Sequence, residues 1–200
     1  VEIQLVADAH GNVACFPERE CSVQRRNQKV VEEAPSPFVH QRPELRARMQ
    51  AEAAQLATAV GYTSAGTVEM LVDATTADFY FLEMNTRLQV EHPVTEAVSD
   101  QDLVALMLRV ADGQALPSKL VGSVPPVGWA IESRIYAEDA ARGFVPSTGS
   151  LTAYANPPSA IEFFHASDIR VDAAVEDGSE VGIHYDPMIS KVITRGEDRA

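Results

Sequence analysis

Two short apolar runs constrain the fold of this chain more than any other feature. The runs Thr67–Asp73 and Asp78–Asn85 are rich in β-branched and aromatic residues, and only residues 74–77 separate them. Runs of this composition with so short a connection are typical of two paired antiparallel strands. The sequence therefore predicts a β-hairpin across residues 67–85.

The register of this hairpin brings two carboxylates together. If Leu71 faces Phe81, then Glu69 faces Glu83, and Asn85 projects from the same side as Glu83 because side chains alternate along a strand. Carboxylates directly opposite each other repel and weaken the pairing, so this pair calls for a positive partner. Mg²⁺ fits best, because it binds one or two carboxylates and keeps positions for phosphates. The alternative is a pair of exposed glutamates that shares no ion.

Polar side chains continue past the second strand at every second position. If the chain stays extended, all of them project into one cleft, which would hold a metal ion, phosphate and a small anion together. The members of this series are Glu83, Asn85, Arg87, Gln89 and Glu91.

The remaining pattern is mixed α and β. We expect strands over Ile3–Ala7 and Val13–Phe16, a loop over residues 34–43, and helices over Glu44–Val60 and Asp102–Ala111, where apolar residues recur at helical spacing. Prolines and glycines concentrate between residues 114 and 128, which indicates a boundary between two lobes. Short strands separated by turns follow from Trp129.

Composition excludes several classes of function. With 16 basic and 29 acidic residues, the net charge of −13 argues against binding to nucleic acids or to anionic membrane surfaces. The apolar runs are too short to span a bilayer, and no leader peptide is visible at the N-terminus. Cys15 and Cys21 are too few for a disulfide framework, so we expect reduced thiols in an intracellular protein.

Four ordered blocks resemble the biotin carboxylase family of ATP-grasp enzymes. They are Cys21–Pro35, Glu83–Glu96, Glu132–Asp139 and Tyr185–Lys191, and the resemblance covers essentially all 200 residues. It implies an α+β fold: the C-terminal half of an ATP-grasp domain followed by a mostly antiparallel β-sheet subdomain, the biotin carboxylase C-terminal domain. The implied division is an ATP-grasp lobe over 1–113, a linker over 114–127 and a truncated C-terminal domain over 128–200.

The resemblance also implies an activity, the ATP-dependent carboxylation of protein-bound biotin with bicarbonate through carboxyphosphate. Glu69, Glu83 and Asn85 would hold Mg²⁺ or Mn²⁺ ions that bridge the ATP phosphates. The remaining nucleotide contacts would come from Gln24, Asn27, Lys29 and Leu71. Asn27 stands where family members have histidine, so its contacts are the ones that depart from the pattern.

The catalytic residues implied by the resemblance are four. Glu91 would be the base that deprotonates bicarbonate, and Arg134 would stabilise the biotin enolate. Arg87 would bind bicarbonate, with Lys29 contacting the same anion or carboxyphosphate. Gln89 and the backbone of Val90 would complete the pocket.

The family further implies partners and a compartment. These are a biotin carboxyl carrier domain, a carboxyltransferase β subunit and a second copy of the chain, contacted through the C-terminal sheet near Arg170. Within the family the sequence is most similar to acyl-CoA carboxylases, with the propionyl-CoA type favoured. We expect this chain to be an internal fragment of a longer protein and to be inactive alone. We expect the whole protein to lie in the cytoplasm of a bacterium or in the mitochondrial matrix of a eukaryote.

Two other functions remain open at this point. One is a non-catalytic ATP-grasp remnant that binds nucleotide or serves as an assembly module. The other is a ligase similar to carbamoyl-phosphate synthase, which shares the Glu83-Met84-Asn85 pattern. Arg134, together with Glu91-His92-Pro93, favours the biotin enzyme.

Overall fold

The computed structural model describes residues 1–158, 160 and 168–200, and these residues form two compact units. The first comprises Val1–Ile131 with Arg195–Ala200, and the second comprises Glu132–Thr194. The described residues as a whole are of mixed α and β structure, as the sequence predicts. The predicted domain limits at residues 113 and 128 stay a prediction beside this contact-based division.

Elements of the first unit follow one another as β1 (Glu2–Ala7), β2 (Val13–Cys15), β3 (Glu20–Arg25), β4 (Gln28–Ala34), α1 (Pro37–His40), α2 (Pro43–Ala59), β5 (Ser64–Val72), β6 (Phe79–Asn85), α3 (His92–Ser99), α4 (Leu103–Ala111) and β7 (Gly122–Ser123). A five-stranded sheet has the order β6-β5-β1-β2-β7, antiparallel except between β2 and β7. A separate antiparallel ladder joins β3 to β4.

Helices cover both faces of the five-stranded sheet. On one face, Ile3 and Val68 pack against the α2 residues Leu45 and Met49. On the other face, Val6, Ala14 and Phe16 pack against Leu103, Leu106 and Val110 of α4. Every residue of the central strand β1 is buried for this reason, including the polar Glu2 and Gln4.

The helices agree with the apolar periodicity, with small differences. Helix α2 begins at Pro43, whose fixed φ suits a first turn, and ends at Ala59, so Val60 is exposed rather than part of the core face. In α4 the side chain of Asp102 caps the helix by accepting from the Ala105 amide. The predicted loop over 34–43 contains one helical turn, α1, because Ser36 caps its N-terminus.

The predicted hairpin is present, but its register shifts once. Glu69 pairs with Glu83 as predicted, whereas Leu71 pairs with Tyr80 instead of Phe81. The pairing slips by one residue beyond Glu69, where Leu82 is an extra residue on β6, a β-bulge. The predicted pairing near the turn is therefore wrong, and the pairing at the carboxylates is right.

The predicted extended run through Glu91 is also wrong. Strand β6 ends at Asn85, and α3 begins at His92, with Pro93 in its first turn, where proline is favoured. The side chains after Asn85 therefore do not continue the strand alternation. Arg87 is exposed, whereas Gln89 and Glu91 are buried.

The second unit is built from short strands. Strand β8 (Trp129–Tyr136) crosses the division between the units, and the later strands are β9 (Glu138–Asp139), β10 (Val145–Pro146), β11 (Gly149–Ser150), β12 (Ile169–Ala173), β13 (Glu180–Val181) and β14 (Met188–Gly196). Pairs β9–β10, β11–β13 and β12–β14 are antiparallel. Across the described residues, no helix combines the length and apolarity needed to cross a lipid bilayer.

The turn between β1 and β2 is tied to the rest of the first unit by one carboxylate. Asp8 accepts hydrogen bonds from the amides of His10, Asn12 and Leu116 at 2.7–2.9 Å and from the Asn12 side chain at 2.8 Å. Burial opposes its ionisation, but these donors outweigh that effect and lower the pKa of Asp8 to about 2. The ionised carboxylate therefore stabilises the turn.

We expect Asp8→Ala to destabilise the protein by about 2 kcal/mol or more, because it leaves the buried Leu116 amide and the partly buried Asn12 amide without an acceptor. Urea unfolding at neutral pH measures the loss, with the exposed Asp78→Ala as the control. Because the folded pKa lies below the ordinary value, the contribution is complete at neutral pH and declines as the pH falls from about 4 towards 2. A difference between wild type and variant that stays constant over that range would contradict the assignment.

Candidate functional site

Three glutamates form one row across adjacent strands of the first unit. Glu2 on β1 pairs with Glu69 on β5, and Glu69 pairs with Glu83 on β6. Residues that pair directly across antiparallel strands project from the same side of the sheet. The three carboxylates therefore share one face, and their mutual repulsion must be offset by positive or donor groups.

Lys29 on β4 supplies a positive charge to this row. Its Nζ lies 3.1 Å from Glu69 Oε1 and 2.7 Å from Glu91 Oε1, and it also forms an ion pair with Glu2. Burial would lower the pKa of Lys29, but Glu2 and Glu91 outweigh burial and raise it. The ammonium is thus permanently charged at neutral pH and holds three carboxylates around one point.

Two amide side chains complete the environment of Glu69. Asn85 Nδ2 donates to Glu69 Oε1 at 2.9 Å and to Glu83 Oε1 at 3.1 Å, and Gln89 Nε2 donates to the same Glu69 oxygen at 2.9 Å. Burial raises the pKa of Glu69, but the charge of Lys29 and the hydrogen bonds from Lys29 and Gln89 lower it by more. Glu69 is therefore ionised, and Asn85 links it directly to Glu83.

Glu91 lies at the N-terminus of α3 and is 2% exposed. Burial opposes its ionisation, but the charges of Arg19 and Lys29 lower the pKa of Glu91 to about 2. The carboxylate is therefore ionised at neutral pH and paired with Lys29.

Arg19 lies beneath this cluster and is fully buried. Its guanidinium donates to Glu2 Oε2 at 3.1 and 3.2 Å and to Gln89 Oε1 at 2.7 Å. Burial would lower the pKa of Arg19, but Glu2 and Glu91 raise it, so it is a second permanent cation at the site.

Glu2 and Arg19 were not identified from the sequence. A signal for Glu2 exists, because Glu2 and Gln4 are polar residues within an otherwise apolar strand at the centre of the sheet. No comparable signal marks Arg19. It stands between two glutamates in Glu18-Arg19-Glu20, a local sequence that is typical of an exposed arginine.

Other sequence-predicted residues lie around the cluster or apart from it. Gln24 and Asn27 lie on the exposed β3–β4 hairpin, where Asn27 has a φ of +63° at the turn. Leu71 is 59% exposed and lies two residues after Glu69 on β5, on the same side of the strand. Arg87 is exposed. Val90 is partly buried next to Glu91. Arg134 and Arg170 both belong to the second unit. Arg134 lies on β8, and Arg170 lies on β12.

The donor set around Glu69 fits a divalent cation with a preference for oxygen. Glu69 and Glu83 are ligands of the type that Mg²⁺ and Mn²⁺ select, and the shared Asn85 amide shows that both carboxylates lie within reach of one group. Glu2, Cys21 and Glu91 also bring ligand atoms within 4.8 Å of one another. Burial raises the pKa of the Cys21 thiol, so that group is a poorer match for a hard cation.

Two protein families account for most of the chain. Residues 1–119 match the family described as carbamoyl-phosphate synthase L chain, ATP binding domain. Residues 132–200 match the biotin carboxylase C-terminal domain. The carboxylate row and Lys29 lie in the first match, and Arg134 lies in the second.

Among curated relatives, the propionyl-CoA carboxylase alpha chain is 54% identical in both Caenorhabditis briggsae and Homo sapiens, over 200 residues in each case. The rice methylcrotonoyl-CoA carboxylase subunit alpha is 50% identical over 199 residues. These alignments cover all of this chain and only 26% of the length of each relative. The chain thus spans about a quarter of the length of these relatives.

Solved structures with a similar fold include biotin carboxylases. The Campylobacter jejuni enzyme, solved with a β,γ-ATP ligand, superposes with a TM-score of 0.87 at 42% identity, covering 99% of this chain and 42% of that one. The biotin carboxylase domain of Hydrogenobacter thermophilus 2-oxoglutarate carboxylase, solved with MgADP, ADP and bicarbonate, gives 0.88 at 40% identity, covering 98% and 41%. With an ATP-binding family over its first 119 residues and a biotin carboxylase domain over its last 69, the chain belongs to the biotin carboxylase family of ATP-grasp enzymes.

Proposed function

We propose that this chain carries the reaction centre of a biotin carboxylase, which uses ATP and bicarbonate to carboxylate biotin on a carrier domain. The observation that supports this most directly is the convergence of Glu2, Glu69 and Glu91 on the ammonium of Lys29. Such a cluster provides metal ligands, a base and an anion-binding cation within one hydrogen-bonded group. The reaction brings a metal-bound phosphate next to a deprotonated bicarbonate, so it requires these three functions side by side.

Glu69, Glu83 and Asn85 are the proposed ligands of Mg²⁺ or Mn²⁺. A divalent ion held by these side chains would supply positive charge that offsets the negative charge of the ATP phosphates. The three side chains hold this site on rigid strands of one sheet, so their separation is fixed by the β5–β6 register rather than by loop conformation. The amide of Asn85, now donating to both glutamates, would rotate to present its oxygen.

Glu91 is the proposed general base for bicarbonate. A base must be ionised before it accepts a proton, and Arg19 and Lys29 ensure this. The same charges weaken its basicity, so proton transfer requires Lys29 to turn from Glu91 towards the incoming anion. A lysine suits this task because its ammonium moves on a flexible stem.

The proposed bicarbonate pocket adds Arg87, Gln89 and the backbone of Val90 to Lys29. A guanidinium binds a planar oxyanion with two parallel hydrogen bonds. The exposed Arg87 side chain donates only weakly to the Leu88 carbonyl at 3.4 Å. Few contacts therefore oppose its movement onto a bound anion.

The remaining proposed contacts are peripheral. Leu71, on the same face as Glu69, would pack against the adenine, and Gln24 and Asn27 would follow the ribose. Gln24 Nε2 now donates to the Cys21 carbonyl at 2.8 Å. Arg134 would stabilise negative charge that develops on biotin, since a fixed cation favours such a charge.

We further propose that the final acceptor is an acyl-CoA, with propionyl-CoA favoured, because relatives bearing that name are 52–54% identical to this chain. A biotin carboxyl carrier domain, a carboxyltransferase β subunit and a second copy bound through the C-terminal sheet would be the partners. Relatives from animals are named as mitochondrial. We propose the matrix in a eukaryote and the cytoplasm in a bacterium.

The two alternative functions are less well supported. The match of residues 132–200 to a biotin carboxylase domain favours a biotin enzyme over a ligase similar to carbamoyl-phosphate synthase. A non-catalytic remnant would need no ionised carboxylate beside Lys29, yet Glu91 is buried at that position.

We expect Glu83→Gln in the full-length protein to raise the KM for MgATP by about 10- to 100-fold, because it removes a charged metal ligand. Steady-state ATP hydrolysis at saturating bicarbonate, titrated with Mg²⁺, measures the effect. Glu52→Gln on the exposed side of α2 is the matched control. An unchanged KM for MgATP in Glu83→Gln would exclude Glu83 as a metal ligand.

Glu91→Gln should lower the kcat of bicarbonate-dependent ATP hydrolysis by about 100- to 10,000-fold, because the amide cannot accept the proton. Binding of a fluorescent nucleotide should change by less than about twofold, since Glu91 is not assigned to the nucleotide. Parallel kinetic and binding titrations of the full-length protein separate the two effects. If nucleotide binding weakened as much as in Glu83→Gln, the division of roles would be wrong.

A further inference from the structure

We propose that Arg19 is a positioning residue: it fixes the orientation of the Gln89 side-chain amide, so that Gln89 presents a hydrogen-bond donor to the bicarbonate site. This inference rests on the proposed function, because it assigns the anion to the pocket beside Gln89. Arg19 itself is fully buried beneath the cluster.

The chemistry of the guanidinium determines the orientation of the amide. A guanidinium only donates hydrogen bonds, so a neighbouring amide must turn its oxygen towards it. Arg19 Nη2 donates to Gln89 Oε1 at 2.7 Å, and Gln89 Nε2 consequently points the other way, where it donates to Glu69 Oε1 at 2.9 Å. The side of Gln89 that faces the carboxylate cluster is therefore a donor.

Arg19 is itself held from every direction. Its Nη1 donates to Gln4 Oε1 and to Thr95 Oγ1, both at 2.9 Å, and Nη2 donates to Thr67 Oγ1 at 3.2 Å. Glu2 accepts from Nε and Nη2. These acceptors come from β1, β5 and α3, so rotation of the guanidinium would break contacts in all three elements.

Loss of Arg19 would free the Gln89 amide to rotate by half a turn. The amide oxygen would then face the anion, replacing an attraction with a repulsion. The effect should fall on bicarbonate rather than on MgATP, because the proposed metal ligands keep their own partner in Asn85.

A double-mutant cycle in the full-length protein tests this assignment. The variants are Arg19→Met, Gln89→Leu and the double variant, with bicarbonate-dependent ATP hydrolysis and thermal unfolding measured for each. Arg46→Met is the matched control, because Arg46 also forms a two-pronged ion pair, at 2.6 and 2.7 Å, with the buried carboxylate of Glu18. Both arginine changes remove an arginine from a buried carboxylate, although Glu2 keeps its ion pair with Lys29, and of the two arginines only Arg19 donates to Gln89.

We expect Arg19→Met to raise the KM for bicarbonate by about 10- to 100-fold, with the KM for MgATP within about twofold of wild type. In the Gln89→Leu background, Arg19→Met should add no more than about a twofold effect. Arg46→Met should lower the unfolding temperature without raising the KM for bicarbonate.

Four results would overturn the proposal. In the double variant, the rise in the KM for bicarbonate could equal the product of the rises in the two single variants. Arg19→Met could raise the KM values for bicarbonate and MgATP equally, or leave the KM for bicarbonate unchanged, or Arg46→Met could show the same bicarbonate defect.

If Arg19→Met does not fold, Arg19→Lys replaces it. That variant keeps the charge but loses the planar fork, so a normal KM for bicarbonate would refute the role. A wild-type protein without bicarbonate-dependent hydrolysis would refute the proposed function, and the inference with it.

Discussion

Repulsion among carboxylates on one face of a sheet is the constraint on which the described site depends. Glu2, Glu69 and Glu83 lie side by side on three strands, and Glu91 joins them from α3. Among the described contacts, Arg19 and Lys29 are cations that bind this group. The carboxylates outnumber these two cations, and a divalent cation would offset part of the remaining negative charge. The excess of carboxylates thus favours the kind of ion that the ligand chemistry selects.

The sheet makes this concentration of charge tolerable. Apolar side chains of β1 and β5 pack against α2 on one face and against α4 on the other, and this packing fixes the strand positions. The polar row occupies the end of the sheet where β1 begins, with the β3–β4 ladder supplying Lys29. Because strands hold most of the cluster, sheet pairing fixes the backbone positions from which Glu2, Glu69 and Glu83 project, which suits electrostatic stabilisation of a bound charge.

The sequence predicted those parts of the site that depend on local periodicity. Glu69 opposes Glu83 as predicted, because both residues lie on the side of the bulge where the predicted register holds. Pairing beyond Glu69 was mispredicted, since nothing in the residues of β6 marks Leu82 as the extra one. Arg19 was missed for a different reason: its partners lie 15 to 76 residues away, and only the tertiary fold brings them together. Lys29 was identified through family resemblance alone, whereas Gln89 and Glu91 also belong to the polar series that spacing picked out, and only their individual roles came from the resemblance.

Arg19 and Lys29 compensate the charge of the carboxylates in different ways, because a guanidinium and an ammonium differ in geometry and mobility. Arg19 offers five donors in a rigid plane, and the structure satisfies them from three elements, so it sets geometry. Lys29 is 16% exposed and offers one mobile charge to three carboxylates, so an incoming anion can compete for it. A base held ionised by both cations gains basicity when the mobile one leaves. The proposed chemistry therefore needs a fixed cation and a movable one, which explains why the site combines an arginine with a lysine.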